Sequence, residues 1–293
     1  MAPTVSPATV TDAVRTRWTT ARTSGDRTWT GRPAGRATIA GVIVLTAPGA
    51  RAVIDDVAGG RVASLVVDGV EVLVDRNDNP MLWGIFPMVP FAGRVQYGRF
   101  TYDGVEHQLE CNMAPHAIHG TGYRQPWRIT GDAQLEVDLG PGWPFDGFAR
   151  QSFTLDAAAL GCTLEVHTSG VAFPATAGWH PWFRKPSSWV IPACHQLEMD
   201  DEMIPTGRVV APFRTDGSWD DCVTNLDAPV VVTFPDGPVL AVVSSCAFRV
   251  LYDHQDFGRC VEPQTAPPNG LALLPFVVRP GEPLVATMTI AWS

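Results

Sequence analysis

From about residue 40 onward the chain alternates short apolar, β-branched runs with turn residues. "VIVL" (42–45), "ARAVI" (50–54), "VASLVV" (62–67) and "VEVLV" (70–74) are separated by Pro48-Gly49, Gly59-Gly60 and Asp68-Gly69. Runs of this kind closed by Asp-Gly or Gly-Gly predict strands joined by hairpins. The rhythm returns at "GRFTYDGVEHQL" (98–109), "CTLEVHTSG" (162–170), "PVVVTF" (229–234), "VLAVVSS" (239–245), "FRVLYD" (248–253) and "LVATMTIAW" (284–292). No long apolar stripe recurs at helical spacing, apart from a weak one near 8–18. So many strands in one stretch predict an all-β protein: a single large antiparallel β-sandwich over residues 39–293, with no repeat of propeller or solenoid type. Three segments, 77–97, 111–127 and 172–188, break the rhythm. They are rich in Pro, Gly, Trp and His and read as loops, where sites are commonly built on a rigid sheet.

Composition narrows the class. Hydrophobic residues make up 45% and charged residues 17% of 293 positions, enough apolar surface for a sizeable core. The net charge of −9 argues against nucleic acid or an anionic membrane as partner. Residues 1–36 run the other way, with six Arg against two Asp, and carry no apolar run. Residues 1–38 are therefore expected to be a flexible extension. Six cysteines without a C-x-x-C pair read as reduced thiols, and no segment approaches the length of a spanning helix. A cytoplasmic protein is expected, acting as a monomer or weak homodimer.

The candidate chemistry lies mostly in the interrupting segments. "HAIHGTGYR" puts His116 and His119 three residues apart, so on extended backbone they point to opposite faces and do not converge on one ion. That spacing alone is a weak metal signal, and no metal or other cofactor is expected. Arg94 runs through apolar, proline-rich sequence and offers a fork of donors for an oxygen-rich ligand. "ATAGWHPWFRKP" sets His180 between Trp179 and Trp182, an aromatic wall suited to stacking on a sugar ring. Glu262 in "CVEPQTAPPNG" leaves an apolar strand for a proline-rich turn, and Asp220-Asp221 could orient a ligand hydroxyl or cap a turn.

In order, "GIFPMVPFAGRV", "HAIHGTGYRQPW", "WPFDGFARQSF", "AGWHPWF", "MIPTG", "DDCVTNLD" and "VEPQTAPPNG" resemble the aldose 1-epimerase (galactose mutarotase) family from about residue 42 to the C-terminus. The resemblance implies a β-supersandwich and cofactor-free interconversion of the α and β anomers of an aldohexose. By position, His119 in "IHG" and His180 in "WHPWF" match the two active-site histidines, and Glu262 in "VEPQT" matches the catalytic base. Arg94 and Asp220 match substrate-binding positions, and Trp179 joins them as the stacking residue. The family's "DH" stands here as Asp220-Asp221, leaving two candidates for that position. Ring opening needs a base at the anomeric hydroxyl and an acid at the ring oxygen. Glu262 is expected as the base and His180 as the acid, since an imidazole can hold a proton near neutral pH. His116 is expected to be structural. Two other readings remain open. One is a hexose-6-phosphate epimerase using Arg124, Arg184 or Lys185 as phosphate cations; the other is a binding or sensory module without catalysis.

Overall fold

The computed structural model describes residues 35–39, 41–210 and 217–293. Among these, two large antiparallel sheets of twelve and eight strands face each other. The expected extension over 1–38 lies outside the described residues except for Gly35–Ile39, which pairs with Val42–Ala47 at the edge of the larger sheet. The weak helical pattern near 8–18 also lies outside them. The opening hairpins form as the Pro-Gly, Gly-Gly and Asp-Gly turns predict: Val42–Ala47, Ala50–Asp55, Arg61–Val67 and Val70–Glu71 pair in succession.

The core fills the space between the sheets by period-2 alternation. On the smaller sheet, Ala159–Thr168 buries Leu160, Cys162, Leu164 and Val166, and Leu284–Trp292 buries Leu284, Ala286, Met288 and Ile290. The larger sheet answers with Ile43, Leu45, Leu65, Trp179, Phe183, Leu251 and Val261 in the same cluster. The indole N–H of Trp179 reaches across to Gln151 Oε1 on the smaller sheet at 3.1 Å. A second apolar layer, which includes Val74, Trp83, Phe86, Met88, Tyr123 and Trp182, covers the other face of the larger sheet.

That second layer explains where the strand expectations fell short. Two segments read as loops contain central strands: Ile85–Met88 in 77–97, and Gly178–Arg184 in 172–188. Gly258–Gln264 lies next to the latter, so Glu262 sits inside a strand rather than at its end. All three strands are buried on both faces, which erases the alternation of apolar and polar residues that marks a half-exposed strand. Conversely, the run at 70–74 is a strand only over Val70–Glu71.

One buried charge ties the loops over this face together. Arg61 is 1% exposed, and its guanidinium donates to the carbonyls of Ala58 (2.6 Å), Pro80 (2.8 Å), Trp83 (3.0 Å) and Tyr123 (3.4 Å). It also stacks 4.0 Å above the Trp83 ring. Burial pulls its pKa down to about 9, so it stays charged at neutral pH. Arg61→Met keeps the stem and removes every donor, leaving those carbonyls to find water. The expected loss is about 3 kcal/mol or more in a urea titration; a loss below about 1 kcal/mol would show that the carbonyls are readily resatisfied.

Candidate active site

The central strands of the larger sheet carry His180 and Glu262 on one face. Gly178 pairs with Gln264 and Trp182 with Cys260, so the same register sets His180 directly opposite Glu262. Their side chains touch: His180 Nε2 lies 3.2 Å from Glu262 Oε1, both almost fully buried. Alternation along Gly178–Arg184 sends His180 and Trp182 to this face and Trp179 and Phe183 into the inter-sheet core. Trp179 is therefore not a stacking wall for a ligand, contrary to expectation. Trp182, two residues on from His180, takes that place at the cavity wall.

His119 arrives from a loop. Arg94–Val95 pairs with Ala117–Ile118, and the His119 amide donates to the Gly93 carbonyl at 3.1 Å. His119 itself has φ +62°, a conformation costly for a side-chain-bearing residue. Gly120 follows at φ +72°, and a Cβ there would lie 2.0 Å from the Val89 carbonyl oxygen. Only glycine fits that approach. The turn delivers the His119 ring edge-on to His180, with centroids 5.1 Å apart, while Phe86 stacks flat on His180 at 4.6 Å. His116 faces away, accepting the Tyr97 amide on Nδ1 at 3.1 Å.

His119, His180, Trp182 and Glu262 line an open cavity of about 280 Å³ with Arg94, Asp220, Val250, Tyr252 and Gln264. Of the two adjacent aspartates, Asp220 faces the cavity, while Asp221 accepts Gln196 Nε2 at 2.8 Å. Met81, Leu82, Trp182 and Tyr252 make an apolar side; Asn79 and His254 add polar groups to the lining. The three cations considered for a phosphate are engaged elsewhere. Arg184 pairs with Asp75, Arg124 with Glu110, and Lys185 donates to the carbonyls of Asp253 and Gln255. Gln264, Tyr252 and His254 escaped the sequence reading. Once 258–264 is known to be a strand, the two-residue spacing of Glu262 and Gln264 places them on one face.

Burial dominates the electrostatics. It pulls His180 down to about 3, with the Arg61 charge adding to the effect. His119 is lowered well below 6.5 by burial, then by His180 and Arg94. Glu262 is raised well above 4.5 by burial and by Asp220, while Arg94 and the Gln264 amide favour its charged form. Asp220 is raised by burial and drawn back by Arg94 and His254. A free-standing His180 imidazolium, the expected acid, is thus disfavoured. Lowering the imidazole and raising the carboxyl both favour a pair that is neutral as a unit, with one proton between the two facing atoms.

His119, His180 and Glu262 each offer a ligand atom, all within 4.8 Å of one another, a donor set of the kind that holds catalytic zinc. The fit is incomplete. Both histidine Nδ1 atoms are buried without a partner, whereas a ligating histidine ordinarily donates from its other nitrogen.

An all-β sandwich whose larger sheet carries His180 and Glu262, joined by His119 from a loop in one buried cluster, defines the class. A family model described as aldose 1-epimerase matches residues 41–228, and the chain belongs to that family. The matched range holds Arg94, His119, His180 and Asp220; Glu262 lies beyond it. The chain is 36% identical over 104 residues to an uncharacterized Escherichia coli K12 protein, YphB, covering 33% of this chain and 36% of that protein. It is 26% identical over 174 residues to rat galactose mutarotase, covering 53% of this chain and 49% of the rat protein. The chain thus matches half or less of the length of either curated relative. Among solved structures, a galactose mutarotase-like protein from Clostridium acetobutylicum shares the fold with TM-score 0.76 at 18% identity, over 88% of this chain and 98% of that one. Galactose 1-epimerase from Lactobacillus acidophilus does so with TM-score 0.72 at 18% identity, over 86% and 94%.

The shared proton sets a pH dependence. The raised carboxyl holds its proton to higher pH than an ordinary glutamate, and the lowered imidazole takes a second one only well below pH 6.5. Between those limits the pair keeps one proton, and its competent tautomer is a fixed fraction of that state. The turnover profile is therefore expected to show no midpoint near 6.5, with its alkaline limb displaced upward from that of an ordinary glutamate. A midpoint near 6.5 in kcat/KM would show an independently titrating histidine instead.

Proposed function

We propose that the protein is an aldose 1-epimerase that interconverts the α and β anomers of a free aldohexose of glucose or galactose type. The observation carrying this reading is the His180–Glu262 contact at 3.2 Å inside a cavity lined by both polar and apolar side chains. A hemiacetal bears its hydroxyl and its ring oxygen on one carbon, so the groups that move their protons must stand side by side. Glu262, ionised, takes the proton of the C1 hydroxyl as the C1–O5 bond breaks. His180 gives its proton to O5, leaving an open-chain aldehyde with a 5-hydroxyl. Rotation about C1–C2 and the reverse transfers close the other anomer. Through the cycle one proton passes from His180 to Glu262 and back by way of the substrate, so the buried pair never acquires net charge. Arg94 favours the ionised carboxylate, His119 approaches the ring-oxygen side beside His180, and Trp182 offers a face for the apolar side of the sugar.

The engaged state of Arg124, Arg184 and Lys185 supports a free sugar over a 6-phosphate. Closing a hemiacetal requires both proton carriers, which favours catalysis over binding alone. Saturation-transfer NMR on glucose, galactose and their 6-phosphates is the direct assay. Glu262→Gln keeps shape and loses the base, and is expected to slow exchange by at least about 10²-fold while glucose affinity changes little. A Gln variant exchanging at near the wild-type rate would remove Glu262 from the mechanism.

A second outcome concerns the three-ligand cluster. Exchange is expected to persist after dialysis against a chelator, because the proton relay above uses only side chains. Stoichiometric zinc lost in step with activity would replace that relay with metal-assisted chemistry.

A further inference from the structure

Gln264 is fully buried at 0% exposure and lies two residues from Glu262 on the same strand and face. Its Nε2 donates to Glu262 Oε2 at 3.3 Å. That contact sets the amide's orientation, since the reverse would press a carbonyl against a carboxylate. Its Oε1 is then left buried without a partner, in a residue that lines the cavity. An unmade hydrogen bond on a buried amide is costly, so such an atom points to a donor that arrives with a ligand. Gly93 makes room for it: a Cβ at that position, where φ is +66°, would stand 2.9 Å from Gln264 Oε1.

We propose that Gln264 positions the base Glu262 and receives the 2-hydroxyl of the bound aldose, making the site selective for sugars that carry that hydroxyl. The inference rests on the anomer-exchange reading for its orientation of the sugar. The two oxygens of Glu262 look to different neighbours, Oε1 to His180 and Oε2 to Gln264. With O1 at the carboxylate and O5 at His180, the remaining non-hydrogen substituent of C1, which is C2, turns toward Gln264. Its hydroxyl donates to Oε1, a buried acceptor without a donor. The same amide occupies Oε2 and so leaves Oε1 of Glu262, beside His180, to carry the proton.

The test compares D-glucose with 2-deoxy-D-glucose, by calorimetric affinity and by anomer exchange, on wild type, Gln264→Met and Gln264→Glu. Wild type is expected to bind the deoxy sugar about 10-fold more weakly, and Gln264→Met to bind both within about twofold of each other. With glucose, the Met variant is expected to lose more in kcat than it gains in KM. Gln264→Glu restores an acceptor and with it the discrimination, while a second carboxyl in contact with Glu262 shifts the pH profile upward. Equal wild-type affinity for the two sugars, or full discrimination retained by Gln264→Met, overturns the assignment. Exchange absent on every hexose, with discrimination in binding intact, removes the epimerase reading and leaves the role of Gln264 in recognition standing. Exchange intact without discrimination removes that role alone. A wild type that binds no hexose overturns both.

Discussion

The site depends on one contact: an imidazole and a carboxyl pressed together at 3.2 Å on neighbouring strands, both out of water. Neither group would tolerate a lone charge there, and each by itself would become an inert neutral side chain. Placed opposite each other in an antiparallel register, they stand close enough for one proton to be held between them without net charge. The pairing is a property of the sheet, because moving either strand by one residue would turn one partner into the inter-sheet core.

The surrounding construction keeps that register and that burial. The inter-sheet core holds the larger sheet from behind, with Trp179 bonded across to Gln151. Phe86 and Trp182 flank the His180 ring on the cavity side, at 4.6 Å and 5.3 Å between centroids. Arg61 ties the carbonyls of four loop positions beneath the same layer, and its charge bears on His180. His119, by contrast, is brought in by backbone constraint. Its left-handed conformation, the following glycine and the close approach to Val89 together leave the loop few ways to close.

Family membership and this geometry bear on function in different ways. The family model and the solved relatives establish a mutarotase-like sandwich. What a given member acts on is decided by the lining of its cavity. Here that lining combines an apolar wall, a half-buried arginine, an aspartate and an amide with an unused acceptor, while the nearby surface cations are tied to other partners.

Local sequence was enough for much of the frame. Hairpins at Val42–Val67 and the strands near 160 and 285 were legible because their turns are Gly- or Asp-rich and their residues alternate. The motif order made the histidines, Glu262, Arg94 and Asp220 legible as a set before any geometry. Which of Trp179 and Trp182 faces the cavity, and which of Asp220 and Asp221, became visible in three dimensions alone. Only the fold revealed that Gln264 belongs beside Glu262, and that burial denies His180 a free-standing charge. The reason is the same in each case. Strands covered on both faces carry no periodic signature of which side is which, and a pKa answers to neighbours distant in sequence. The order of side chains along the chain set the chemistry available; the packing of the second layer set which atoms meet.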